Sequence, residues 1–338
     1  MQDFAKDRYE KMQYRRCGKS GLKLPAISLG FWQSLGVPGN EKTCRECMYY
    51  AFDHGVTHFD LANNYGPPPG NSERVVGNIL KDMPRDELII STKAGFHMWD
   101  GPYGDWGSKK YIVASIDQSL KRLGLDYVDI FYHHHPDPDT PLEETLGALD
   151  LIVKQGKALY VGLSNYGGER FRQAVDVVQK RDWSPITIHQ PSYNMLDRWI
   201  ESDLLPHTSE SGTGVIAFVP LSQGMLTDKY LKGLPSDSRM GRRAQSGKEW
   251  YEKQKSAGVW DKVGKLNEIA KTRGQTMPQM AITWILRDDR ITSVLIGASR
   301  VNQLEENLKA AGATPLSDEE QQKIEDILTG KIGNKKGY

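Results

Sequence analysis

Eight short apolar runs punctuate this chain, and the alternation they set up excludes most architectures. They are AISLGFW (26–32), VTHFDLA (56–62), ELIISTKAG (87–95), YVDIFYHHH (127–135), ALYVGLSN (158–165), ITIHQPSY (186–193), GVIAFVPL (214–221) and SVLIGA (293–298). Each is nearly continuous in apolar character, as expected for strands of a parallel sheet covered on both faces. Segments with apolar residues three and four apart lie between them, most clearly over 110–123 and 142–154. Eight β/α units without a second compositional regime predict an α/β fold, a single (β/α)8 TIM barrel over residues 1–338. A doubly wound sheet holding a dinucleotide would instead need G-x-G-x-x-G after its first strand. No such fingerprint occurs, and SGTGVIAF leads into a strand rather than out of one.

Three segments fall outside the units. Residues 10–24 read as a hairpin turning at Gly18–Gly21, a cap for the barrel's N-terminal face. Residues 225–257 are polar, rich in Gly, Arg and Lys, and interrupt the seventh unit as a long insertion loop, the kind that serves as a lid or stays disordered. Residues 329–338 read as a helix end and tail. The net charge of +1 gives no basic face for nucleic acid or an anionic membrane. No run approaches the roughly 18 apolar residues of a membrane span, and the charged N-terminus lacks a signal-like apolar segment. The expectation is a cytoplasmic protein. Three cysteines cannot build a disulfide framework. Cys44 and Cys47 form a CxxC, but inside a helix-like stretch rather than at the helix start after a strand, so they read as ordinary helix residues.

In a barrel, chemistry gathers at the C-terminal ends of the strands. The second strand ends on Asp60, with Tyr65 in the following Gly/Pro-rich loop. The third ends on Lys93, and the fourth on His133, His134 and His135. Singly, each has a structural reading: a loop cap, a packed aromatic, a snorkelling lysine. Together they suit proton transfer. A phenol is a poor acid at neutral pH unless its anion is stabilised, and a nearby ammonium held by a carboxylate would do that. Tyrosine could then protonate a developing alkoxide while an imidazole positions the carbonyl oxygen. That is carbonyl reduction, and its hydride must come from a nicotinamide cofactor. A metal-dependent hydrolase is the competing reading of the three histidines. Neighbouring strand residues point in opposite directions, so the three cannot share one ion.

FDLANNYG, TKAG, VDIFYHHHPDP, VGLSN and VLIGASRVNQLEEN, in this order, resemble the aldo-keto reductases over nearly the whole chain. The resemblance implies a catalytic tetrad of Asp60, Tyr65, Lys93 and His134, the histidine being selected by the H-x-P spacing. His133 and His135 would share the opposite direction as wall or supporting residues. It further implies cofactor contacts from Trp32, Asp60, Ser164, Asn165 and Gln190. Phe218, Pro220, Leu221, Gln223, Gly224 and Lys229 would follow from the seventh unit, with Phe218 stacking on the nicotinamide. Val219 departs from the family's usual hydroxyl residue, which removes one contact. Gly297, Ser299, Arg300, Gln303, Glu306 and Asn307 resemble the family's adenosine-phosphate site, and Ser299 with Arg300 favours NADPH over NADH. Trp32, Tyr65, Trp99 and His134, joined by Trp106, would wall the substrate.

Within the family, ANNYGPPPGNSE and PDPDTPLEETLGAL resemble bacterial reductases of L-glyceraldehyde 3-phosphate and methylglyoxal, and also the β subunits of voltage-gated potassium channels. The latter carry Asn where this chain has His134, which favours a working aldehyde reductase over an NADPH-binding sensor subunit. A small-molecule aldehyde is the expected partner, and the channel resemblance implies an assembly of copies. A phosphorylated substrate would want a cation at the mouth, for which Lys109, Lys110 and the Arg239–Arg243 stretch are the candidates.

Overall fold

The computed structural model describes residues 3–330. Eight parallel strands close into a barrel: β3 (Ile27–Gly30), β4 (His58–Asp60), β5 (Ile89–Ala94), β6 (Val128–His133), β7 (Ala158–Ser164), β8 (Ile186–Gln190), β9 (Gly214–Ala217) and β10 (Ile291–Gly297), which returns to β3. Each strand lies within or overlaps one of the eight apolar runs. Register places Asp60 beside Gly30 and Ser91, and Lys93 beside Tyr132.

Helices α1 (Glu41–Asp53), α2 (Asn71–Leu80), α3 (Lys109–Leu123), α4 (Leu142–Lys154) and α5 (Gly168–Lys180) follow the first five barrel strands. α3 shows why they form. The Ser108 side chain caps it by accepting from the Tyr111 N–H, and Gly124 ends it at a φ of 67°. Its buried stripe, Tyr111, Ile112, Ser115, Ile116, Ser119, Leu120 and Leu123, repeats every three or four residues. Ser108→Ala would cost about 1 kcal/mol through the lost cap. Later in the chain come α6 (Ile200–Asp203), α7 (Leu205–Ser211), α8 (Ala244–Ser256), α9 (Val259–Thr272), α10 (Met277–Leu286), α11 (Val301–Leu308) and α12 (Asp318–Thr329). No helix among the described residues is long and apolar enough to cross a membrane.

The N-terminal hairpin, β1 (Tyr14–Arg16) and β2 (Lys23–Pro25), is antiparallel. Its turn is pinned where Gly18, at φ 55°, lies against the chain before β9; a Cβ there would sit 2.0 Å from the Gly212 carbonyl oxygen. Cys17, Leu22 and Leu24 pack on the inward residues Ile130, Ile188 and Ile216 and seal the barrel's floor. Burying each leucine is worth about 1.5–3 kcal/mol.

The insertion over 225–257 differs from the loop expected of it. It contains 3₁₀ turns and the helix α8. Tyr230, Trp250, Tyr251 and Trp260 meet with ring centroids 5.1–5.7 Å apart. That cluster gives a largely polar segment its own small core with Met240. Cys44 and Cys47 lie buried within α1, and burial pushes their thiols up to about 12 and about 11, unsuited to redox exchange at neutral pH. The tail expected over 329–338 lies, from residue 331 on, outside the described residues.

Candidate active site

The barrel interior is divided by side-chain chemistry. Inward positions on β6, β8 and β9 are apolar through Ile130, Ile188 and Ile216, whereas β3, β4, β5 and β10 present Ser28, His58, Asp60, Ser91, Lys93 and Ser293. Asp60 and Lys93 are both wholly buried. Lys93 Nζ donates to Asp60 Oδ2 at 2.5 Å and to the Leu61 carbonyl at 2.6 Å. Oδ1 of Asp60 accepts from Ser91 Oγ at 2.6 Å and from Gln190 Nε2 at 3.1 Å. The carboxylate is therefore held on both oxygens.

Tyr65 reaches this pair from the loop after β4, its hydroxyl 3.5 Å from Lys93 Nζ. The expectation that the ammonium lowers the phenol pKa is not met. Burial and the Asp60 carboxylate push Tyr65 well above 10, and burial also pulls the lysine down against the pull of Asp60. The resting phenol keeps its proton, which an acid must still hold when substrate arrives.

His134 faces Tyr65 with ring centroids 5.9 Å apart. Burial and the Lys93 ammonium push its pKa well below 6.5, so the imidazole is neutral. Its Nδ1 is buried without a partner. Its backbone is fixed at both ends: its N–H donates to the Ala94 carbonyl, and its own carbonyl accepts from Asn165 Nδ2. His133 and His135 lie on the other side, their rings nearly parallel at 6.2 Å. His133 Nε2 donates to the Trp106 carbonyl, which leaves its Nδ1 to accept from the Tyr166 hydroxyl, and His135 Nε2 is 2.9 Å from the Gly95 carbonyl. They thus fasten the loop over residues 95–108 beside the mouth.

That loop rearranges the expected aromatic wall. Trp99 packs on Tyr111 at 5.0 Å, while Phe96, not singled out from sequence, meets His134 edge-on at 4.6 Å. Trp106 is exposed and stands 4.8 Å from His135. Lys110 reaches the Tyr103 ring of the same loop.

Most residues expected to hold a cofactor lie at the ends of β7, β8, β9 and β10 and in the segments that follow them. Ser164 and Gln190 are buried at the ends of β7 and β8, and Asn165 is exposed at φ 61°. Phe218 follows β9, half-buried. Beyond it Val219, Ser222, Gln223 and Gly224 all take positive φ, an unusual backbone for a β-branched valine. Pro220 is buried and Leu221 half-buried in that turn. Gly297 at the end of β10 is exposed, as are Ser299 and Arg300 at the head of α11, where Gln303 accepts from both the N–H and hydroxyl of Ser299. Asn307 is buried, whereas Glu306 is engaged by Gln279 and Lys309.

Trp32, exposed after β3, carries the guanidinium of Arg239 4.9 Å from its ring centroid. Arg239 comes from the insertion, is half-buried, and has an Nε with no partner. Sequence gave it no position, because the insertion's path depends on its aromatic cluster. Lys229 and Arg300 lie in the segments that follow β9 and β10, and Arg239 rests on Trp32 after β3; none of the three has an acidic partner within ion-pair distance among the described residues.

The family model described as Aldo/keto reductase family matches residues 26–329. The chain belongs to the aldo/keto reductase family. It is an oxidoreductase on that ground. This reductase is 53% identical to the L-glyceraldehyde 3-phosphate reductase of Escherichia coli (strain K12) over 332 residues, 96% of this chain and 95% of that one. It is also 36% identical to a probable voltage-gated potassium channel subunit beta of Arabidopsis thaliana, over 97% of this chain and 100% of that protein. A putative subunit of the same kind from Schizosaccharomyces pombe (strain 972 / ATCC 24843) is 35% identical over 94% of each chain.

Proposed function

We propose that this aldo/keto reductase reduces small aldehydes of the glyceraldehyde 3-phosphate and methylglyoxal type to alcohols, with NADPH as reductant. The carrying observation is the placement of Lys93, bonded to Asp60 and within reach of Tyr65 in a buried site that opens beside His134. Three unpaired cations across adjacent strand ends fit a polyphosphate better than an uncharged ligand. Arg300 with Ser299, at a helix N-terminus, supports the preference for a 2′-phosphate. A bound reduced nicotinamide dinucleotide supplies the hydride.

The residues of this chain do the rest. Neutral His134 offers a ring nitrogen to the carbonyl oxygen without competing for the proton. Tyr65 gives its hydroxyl proton to that oxygen as charge develops there. Lys93 then faces a phenolate and stabilises it, and Asp60 keeps the ammonium charged and in place. Gln190 is shared: its amide supports Asp60 and lies in the ring expected to hold the carboxamide.

The test is loss of reduced-nicotinamide absorbance with methylglyoxal and glyceraldehyde 3-phosphate, wild type against Tyr65→Phe. Loss of turnover by about 10²–10⁴-fold with unchanged NADPH binding is expected of a general acid. A Tyr65→Phe enzyme that turns over normally would remove Tyr65 from the reaction. The kinship with channel β subunits favours a second reading, a barrel that senses NADPH; tight NADPH binding without turnover of any carbonyl would support it.

A further inference from the structure

Behind Asp60 runs a line of buried polar groups that the proposed reaction does not use. Ser293 Oγ is 2.7 Å from Ser28 Oγ, which is 2.9 Å from His58 Nδ1. His58 Nε2 is 2.9 Å from Ser91 Oγ, which donates to Asp60 Oδ1 at 2.6 Å. Ser28, His58, Ser91 and Ser293 are wholly buried and come from four different strands. β10 pairs Leu295 with Ser28 in register, and Ser293, two residues earlier on the same face, reaches Ser28 from the neighbouring strand.

The direction of every bond follows from the last one. A carboxylate only accepts, so the single hydroxyl hydrogen of Ser91 goes to Asp60. Toward His58 the serine oxygen can then only accept, which puts a hydrogen on Nε2. Burial lowers the His58 pKa to about 4, so the ring is neutral and Nδ1 is a lone pair. Ser28 must donate to it, and Ser293 must donate to Ser28. All four bonds point one way, each polarising the next. The charged groups facing this line are Asp60 on β4 and Lys93 on β5. Tyr132 from β6 and Gln190 from β8 face the same pair, and β3 and β10 contribute only hydroxyls.

We propose that His58 is a positioning residue for the reduction: as the Nε2–H tautomer it completes a one-way hydrogen-bond chain that orients Ser91 onto Asp60 Oδ1 and leaves Oδ2 to Lys93. Its kinetic consequence rests on the reductase reading, but its tautomer does not. Two measurements separate the two. Selective ¹⁵N labelling of the histidines, with His58→Gln to assign the resonance, reads the tautomer by NMR without any substrate. Steady-state kinetics then compare wild type, His58→Leu, His58→Gln and Ser91→Ala.

The expected spectrum shows neutral Nε2–H imidazole at His58; an Nδ1–H tautomer overturns the chain whether or not the enzyme reduces aldehydes. His58→Leu and Ser91→Ala should each lower kcat about 10-fold, the size of one hydrogen bond to a charged group. NADPH affinity should stay within about twofold, so that the loss falls on kcat rather than on cofactor binding. Glutamine can donate and accept as the ring does, so His58→Gln should recover most of the loss. Full activity in His58→Leu, or glutamine no better than leucine, would overturn the positioning role.

Discussion

Replacing Asp60 by asparagine keeps the shape of the side chain and strands the ammonium of Lys93 in a closed interior. In the wild type that ammonium donates to Asp60 Oδ2, to the Leu61 carbonyl and, at 3.5 Å, to the Tyr65 hydroxyl, and has no exposure to solvent. Removing one partner of such a pair costs about 3–5 kcal/mol. An upper bound follows from the lysine itself, which can shed its proton. About 3.4 pH units separate neutral pH from the free lysine pKa, at about 1.36 kcal/mol each, so the penalty cannot exceed about 4.6 kcal/mol. The sign is set by a base whose folded pKa is depressed: between the folded and unfolded values the unfolded chain binds more protons, and stability rises with pH. Burial already lowers Lys93 in the wild type against the pull of Asp60, and without that pull it falls further. At about pH 9.5 the bound shrinks to about 1.2 kcal/mol. Urea denaturation at both pH values measures this. A second variant, Asp60→Asn with Lys93→Met, should recover most of the neutral-pH loss because no charge is left unpaired. If the single variant loses less than about 1 kcal/mol at neutral pH, or loses as much at about pH 9.5, Lys93 is not a charged partner of Asp60 and the electrostatic argument fails.

Arg300→Ala should raise the KM for NADPH about 10–100-fold and leave that for NADH within about twofold, as one charge-assisted phosphate contact is lost; equal effects on both cofactors would remove the 2′-phosphate from Arg300. Gly18→Ala should destabilise the fold by about 2–5 kcal/mol, since the new Cβ meets the Gly212 backbone at a φ of 55°, and a thermal midpoint like the wild type's would contradict the pinned turn. Cys17, Cys44 and Cys47, all buried, should resist a thiol reagent in the native protein and react together after denaturation; rapid native labelling at Cys44 would reopen a redox role for the CxxC.

The barrel was legible because the parallel strands are covered on both faces, so their apolar runs stand out without any need for register. Asp60, Lys93 and His134 were legible for a related reason: a charged or titratable residue ending an apolar run has few structural explanations. His58 and Ser91 were not, although each lies two residues before Asp60 or Lys93 on the same face. A lone histidine or serine inside such a run looks like packing until its neighbours across three other strands are known. Phe96 beside His134 was missed, as was the packing of Trp99 on Tyr111, because no local pattern encodes either contact. Arg239 reached Trp32 only through the fold of an insertion built on Tyr230, Trp250 and Trp260, residues too far apart in sequence to read as one core. The phenol of Tyr65 was misjudged in direction because proximity to an ammonium was weighed without burial.

The sealed floor makes the barrel a blind well. Cys17, Leu22 and Leu24 cover the floor with apolar side chains, which favours exchange of hydrogen ions with Lys93 and Asp60 through the mouth where Tyr65 sits. Once that mouth is covered, the well holds a fixed stock of protons for as long as the complex lasts. On the proposed reduction, one cycle spends a single proton from Tyr65, and reloading waits for the product to leave. Rate would then be coupled to departure rather than to buffer, and a general-acid buffer added at constant pH should leave the turnover of the intact enzyme unchanged.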